Sequence, residues 1–225
     1  MRHHELACFA ERSGQPEGAF EVHDLLEGPP SLHAARSYDA VMVGGSGDYY
    51  VSQNNLPHQE HFHGFLAELA QAGPPTFASC FGYQSMVLAL GGEIIYDPER
   101  TEVGTYDLVL TDEGATDELF SSLPGTFLAQ MGHKDRATRH PAGIPNLAAS
   151  DRCPYQALRI PGRPVWAAQF HPELAMHSNR ERFQAYLDGY AGYMSDEERV
   201  HALSRFKASP EASGLLERFI QLVFG

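Results

Sequence analysis

Five short apolar runs, separated by stretches with helical spacing, constrain the fold more than any other feature of the chain. They are FEVHDL (20–25), YDAVMVGG (38–45), PTFASC (75–80), YDLVLT (106–111) and VWAAQFH (165–171). Strands alternating with helices pack as an α/β fold around a mostly parallel sheet. HQEHFHGFLAELAQAG (58–73) predicts an amphipathic helix closed by Gly73, and SMVLALGG (85–92) a buried helix ending at Gly91 or Gly92. Residues 91–111, broken by Asp97-Pro98 and Gly104, predict a meander or hairpin. From Asn179 the pattern turns helical, with Ser195 and Glu198 spaced as a capping box and Ser209-Pro210 opening a last helix. Residues 1–13 have the pattern of a helix already under way, so the first strand of such a sheet is missing. Either the sheet tolerates that gap or the native start lies upstream of Met1.

With 225 residues, 43% of them hydrophobic, the chain can bury one sizeable core. A formal net charge of -13 leaves no basic excess to displace counterions from phosphates, so nucleic acid is not an expected partner. No apolar run reaches the roughly 18 residues of a membrane helix, and the first residues lack the apolar core of a signal peptide, which points to the cytoplasm. Cys8, Cys80 and Cys153 show no CxxC spacing, so neither a disulfide framework nor a zinc knuckle is expected. His58 and His61 can share a helix face, but His63 points away and no carboxylate completes a zinc pattern, so no metal is expected.

Cys80 ends the run PTFASC and is followed by FGYQSMVLALGG. Taken alone, it is either a buried thiol or a nucleophile at a strand–turn–helix elbow. An elbow would aim a helix N-terminus at the sulfur, favouring the thiolate, and would place the Phe81 N–H to stabilise an oxyanion. A second element sharpens the choice. VWAAQFHPEL places His171 and Glu173 at the end of a strand, flanking Pro172. A thiol nucleophile needs a base and a carboxylate that orients the base, and this i, i+2 pair supplies both residue types. A third element, VGGSGDYYV (43–51), is a glycine turn without GxGxxG order or a P-loop Gly-Lys-Ser/Thr. A backbone donor suits it better than a phosphate site, with the Gly45 N–H paired to that of Phe81.

Together these residues resemble the class I, triad-type glutamine amidotransferases, in particular the glutaminase domain of GMP synthase and its stand-alone relatives. The resemblance runs over about residues 15–185, through the Gly-Gly turn, C-x-G-x-Q at Cys80 to Gln84 and F-H-P-E at Phe170 to Glu173. It implies a flavodoxin-like three-layer sandwich, with Cys80 as nucleophile, His171 as base and later acid, and Glu173 as the orienting carboxylate. It implies further that Gln84 touches the substrate and that MGHKD (131–135) lines the pocket, with His133 in a pocket or structural role. The chain has Tyr83 where the family often has histidine and Ser46 where it often has proline.

The implied activity is hydrolysis of the glutamine side-chain amide through a cysteinyl thioester, releasing ammonia without a cofactor. No nucleotide-binding signature occurs in the chain, so an acceptor for the ammonia would sit on a separate synthetase subunit, or there would be no synthetase at all. The same triad could instead serve a γ-glutamyl amide or peptide, and a regulatory protein could keep the fold without the chemistry. The sequence divides into residues 1–188, the amidotransferase-like part, and 189–225, a helical extension. The apolar spacing of LLERFIQLVF there fits docking on its own domain or, alternatively, a homo-oligomer surface.

Overall fold

The computed structural model describes residues 2–187 and 195–225. Its main sheet has seven strands in the order β1-β2-β9-β8-β7-β4-β5. In chain order these are β1 (Val41–Val43), β2 (Thr76–Ser79), β4 (Glu102–Leu110), β5 (Thr126–His133), β7 (Asn146–Ala149), β8 (Ala157–Arg159) and β9 (Val165–Ala168). The sheet is α/β in character but mixed in direction. β1, β2 and β9 run parallel, whereas β9–β8, β8–β7, β7–β4 and β4–β5 pair antiparallel. The mostly parallel arrangement expected from the sequence therefore holds for the half that carries Cys80 and His171. In the other half, β7–β8 and β8–β9 are joined by short connections that reverse direction, while β4 pairs antiparallel with β5 and with the more distant β7.

Helices cover both faces. They are α1 (Arg2–Ser13), α2 (Leu32–Ala35), α3 (Gln59–Ala72), α4 (Phe81–Ala89), α5 (Asp112–Thr116), α6 (Met176–Ala185), α7 (Asp196–Ser204), α8 (Pro210–Ser213) and α9 (Leu215–Phe224). Alternate residues of the central strands point to opposite faces. Ala78, Val165 and Ala167 meet Phe62, Leu66 and Leu69 of α3 and Met86 of α4 on one side. Phe77, Trp166 and Ala168 meet Phe9 of α1 and Leu215, Leu216 and Phe219 of α9 on the other. This is the helix–sheet–helix layering implied by the resemblance, and α9 lays its apolar face on the same core. Phe219 packs edge-on against both Phe77 and Trp166. The boundary expected at residue 188 lies outside the described residues.

Gly73 closes α3 as expected, donating its N–H to the Leu69 carbonyl at 2.8 Å. The Ser195–Glu198 capping box is formed, with reciprocal bonds of 2.7 and 3.2 Å. Two expectations fail. FEVHDL forms no strand; it runs between two short 3₁₀ turns, with Phe20 and Leu25 half-buried against the cores and residues 21–23 exposed. β1 stands at the edge of the sheet, and residues 20–25 do not pair with its open side. Residues 91–111 are not one hairpin either. β3 (Glu93–Tyr96) pairs antiparallel with β6 (Asp135–Arg139) in a separate two-stranded sheet, while β4 joins the main sheet. Among the described residues, no helix is long and apolar enough to cross a membrane.

Candidate active site

Cys80 sits where β2 gives way to α4. All four residues of β2 are buried, and the Cys80 N–H is pinned to the Ala168 carbonyl of β9 at 2.8 Å. Its carbonyl accepts the first bond of α4, from the Gln84 N–H at 2.9 Å. Between these anchors Cys80 adopts φ 49° and ψ -102°, a conformation that costs a non-glycine residue of order 1–3 kcal/mol. The strain turns the side chain out of the sheet at the helix N-terminus, where the first N–H groups of α4 have no intrahelical acceptor. Gly82 is required for a different reason from turn flexibility: a Cβ there would meet the Val43 side chain at 2.7 Å and its carbonyl at 2.9 Å. Only a glycine lets α4 lie this close to β1.

His171 follows β9 and is fixed by its own N–H, which donates to the Gln130 carbonyl at 2.9 Å. Its Nδ1 donates to Glu173 Oε1 at 2.6 Å, and the ring is hydrogen-bonded to the Cys80 thiol. All three residues are buried. Burial alone would pull the His171 pKa down. The Glu173 carboxylate, together with the charge and hydrogen bond of Cys80, outweighs it and raises the pKa to about 10. Burial pushes Glu173 the other way, but His171 and Arg182 hold its carboxyl below the ordinary range. Sulfur, imidazole and carboxylate are thus ordered as one relay.

The glycine turn closes on this relay. A Cβ on Gly45 would stand 2.9 Å from His171 Cε1, 3.3 Å from Arg182 Nη2 and 3.7 Å from Cys80 Cβ. The Gly45 N–H donates to Glu5 Oε1 of α1 at 3.1 Å. Of the two oxyanion donors expected, the Gly45 amide is engaged by a carboxylate and the Phe81 amide lies at the open helix terminus. Gln84 lines the pocket, but its side-chain amide donates to the Asp135 carbonyl (3.0 Å) and to Gln169 Oε1 (3.1 Å), tying the elbow helix to β6.

His133 also lines the pocket, apart from the relay. Its Nε2 bonds Glu102 Oε2 at 3.0 Å and its Nδ1 the Asp135 carbonyl at 2.9 Å. Ser150 and Gln156 add bonds of 2.7 Å to the same carboxylate. Burial would raise the Glu102 pKa; these bonds bring it below the ordinary value. Among the described residues, Glu102, His133 and Cys153 also bring one potential metal-donor atom each within 4.8 Å of one another. The carboxylate and the imidazole are bonded to each other, and burial drives the Cys153 thiol up.

Tyr83 turns away from the pocket. Its hydroxyl bonds His140 Nε2 (2.7 Å) and donates to the Tyr155 carbonyl (3.0 Å), so the ring anchors α4 from behind. The remaining wall comes from α6, where Asn179, Arg182, Phe183 and Tyr186 follow helical spacing and line the pocket together. Asn179 is held by Gln130 Oε1 and the Met131 carbonyl, each at 3.1 Å. The Tyr186 ring lies where any side chain on Gly47 would have to go. Sequence reasoning missed these residues, together with Gln169, whose Nε2 donates to Cys80 Sγ at 3.7 Å. The i, i+3, i+4, i+7 pattern after FHPE was the available signal for the α6 wall.

Comparison with known proteins shows the family of the chain. The family model "Glutamine amidotransferase class-I" matches residues 29–185. The glutamine-hydrolyzing GMP synthase of Vibrio atlanticus is 31% identical over 141 residues, covering 63% of this chain and 25% of that one. One subunit of the glutamine-hydrolyzing GMP synthase of Methanocaldococcus jannaschii is 36% identical over 101 residues, covering 45% and 52%. The chain thus spans a quarter to about half the length of these relatives. A glutamine amidotransferase from Thermotoga maritima superposes with a TM-score of 0.74 at 17% identity, covering 98% of this chain and 92% of its own. One from Methylobacillus flagellatus gives 0.68 at 19%, covering 97% and 83%. At these identities the solved structures show a shared fold.

Proposed function

Because the chain belongs to the class-I glutamine amidotransferase family, we propose that it hydrolyses the side-chain amide of glutamine through a thioester on Cys80. The observation that carries this reading is the hydrogen-bonded order Cys80–His171–Glu173 at a strained elbow beneath the pocket. The Cys80 sulfur attacks the γ-carboxamide carbon, and the oxyanion forms beside the Phe81 N–H. His171 passes its proton to the departing nitrogen, ammonia leaves and the γ-glutamyl thioester remains. Water then attacks the thioester, His171 takes its proton, and glutamate is released with the thiol restored. Glu173 stays ionised throughout and fixes the imidazole tautomer. One backbone oxyanion donor contributes about 3 to 4 kcal/mol to such acyl transfers.

The ammonia acceptor belongs to a separate synthetase subunit in this reading, which is supported by the likeness to one subunit of a GMP synthase. The test is ammonia release from glutamine and a panel of γ-glutamyl compounds, with and without cell extract. Glutamine turnover that C80A and H171A abolish is the expected outcome. Turnover that survives either substitution, or none with any γ-glutamyl compound, overturns the reading.

A further inference from the structure

The triad does not stand alone in its charge. Arg182, on α6, places Nη1 3.7 Å from Glu173 Oε1 and 3.8 Å from Glu5 Oε1. Its Nη2 lies against Gly45, beside His171 and Cys80. The side chain is only 12% exposed. Nη1 has no hydrogen-bond partner among the described residues, and neither does Glu173 Oε2. The guanidinium therefore acts here as a buried cation between two carboxylates rather than as a bidentate fork. Glu5 in turn accepts the Gly45 N–H. A chain of contacts runs from α1 through the glycine turn and α6 to the carboxylate that orients the catalytic imidazole.

We propose that Arg182 is a positioning residue for the Cys80–His171–Glu173 relay, with Glu5 of α1 as its counterion. This inference rests on the thiol chemistry proposed above. Glu173 Oε1 serves both His171 Nδ1, at 2.6 Å, and Arg182. With the guanidinium present, the carboxylate is drawn to the side of the imidazole and stays ionised in a buried site. Without it, Glu173, Glu5 and the Cys80 thiolate face one another with His171 as the remaining neighbouring cation. Glu5 limits the effect, since its own charge draws part of the guanidinium's field towards α1. Tyr186, which caps the C-terminus of α6, with Asp48 beyond it, and Cys8 of α1 are the other titratable groups near the guanidinium.

A purely structural pin between α1 and α6 predicts loss of stability and nothing else, so the test reads the relay directly. In the full chain, R182M, R182K and E5Q are compared for kcat, KM and melting temperature. The rate of Cys80 alkylation by iodoacetamide is followed against pH at the Cys80 peptide. R182M is expected to lower kcat at least tenfold with KM within about threefold, and to move the acid limb of the alkylation profile up by about one pH unit. R182K, which keeps the charge, is expected to restore most of both, and E5Q to move the limb the opposite way. Wild-type kcat and an unmoved profile in folded R182M overturn the proposal. If R182M does not fold, an unmoved profile in folded E5Q does so. Absence of ammonia release from the wild type would sink the glutaminase reading instead, while the alkylation profiles still decide the role of Arg182.

Discussion

Gly45→Ala tests the tightness of the site with a single carbon. The backbone at Gly45 is not left-handed, so alanine can adopt it and any effect comes from space. The new Cβ would stand 2.9 Å from His171 Cε1, and ordinary contact begins at 3.4 Å. Relieving the clash by moving the imidazole displaces it by about 0.5 Å, because the Glu173 bond and the buried backbone leave the ring little other freedom. A misplacement of 1 Å at a reacting group costs about 100-fold, so half of that costs about tenfold in kcat. The local overpacking is expected to cost about 1 to 3 kcal/mol of stability, leaving the chain folded. Ammonia release with glutamine and a thermal melt read the two effects separately. G125A is the control, since a Cβ on Gly125 meets nothing within 4 Å. Activity of G45A within twofold of the wild type would show that the glycine turn does not bear on His171 as the packing demands.

Three further outcomes follow from the buried polar groups. Asp117 accepts from the Leu119 and Phe120 N–H groups and from Trp166 Nε1, so D117A leaves three buried donors unpaired and is expected to cost about 3 kcal/mol in chemical denaturation. Burial lowers the His140 pKa to about 4, and its Nδ1 has no partner to receive a second proton's charge. Its contribution is therefore complete above pH 6.5 and is lost as the pH falls through about 4, so wild-type stability relative to H140Q should drop by about 3 kcal/mol across that window. His171 has the opposite sign: with a folded pKa of about 10 against 6.5 when unfolded, its contribution is complete below pH 6.5 and fades as the pH rises towards 10. Melting of wild type and E173Q across pH 6.5 to 10 should show their difference shrinking; a constant difference would refute the ion pair.

The residues of the proposed triad could be picked out in the sequence because each lies in a local pattern. An apolar strand followed at once by Cys80 and a helix marks an elbow, and VWAAQFHPEL carries base and carboxylate two residues apart. The supporting groups were hidden because they come from far along the chain. Glu5 reaches Gly45 across 40 residues and Glu102 reaches His133 across 31. Gln84, expected at the substrate, spends its amide on contacts 51 and 85 residues away. The same distinction explains the fold. FEVHDL has the composition of a strand, but its Phe20 and Leu25 pack against the hydrophobic cores and the run does not pair with the open edge at β1. β3 finds its partner in β6, beyond β4 and β5, so local breaks at Asp97-Pro98 and Gly104 suggested a pairing that the long-range contacts replace.

Acid-quenching the wild-type chain during glutamine turnover and mapping its cysteine peptides by mass reads the covalent step itself. A γ-glutamyl adduct on the Cys80 peptide, absent from C80A, is the expected result. Turnover that persists in C80A, or an adduct carried instead by Cys8 or Cys153, would contradict it.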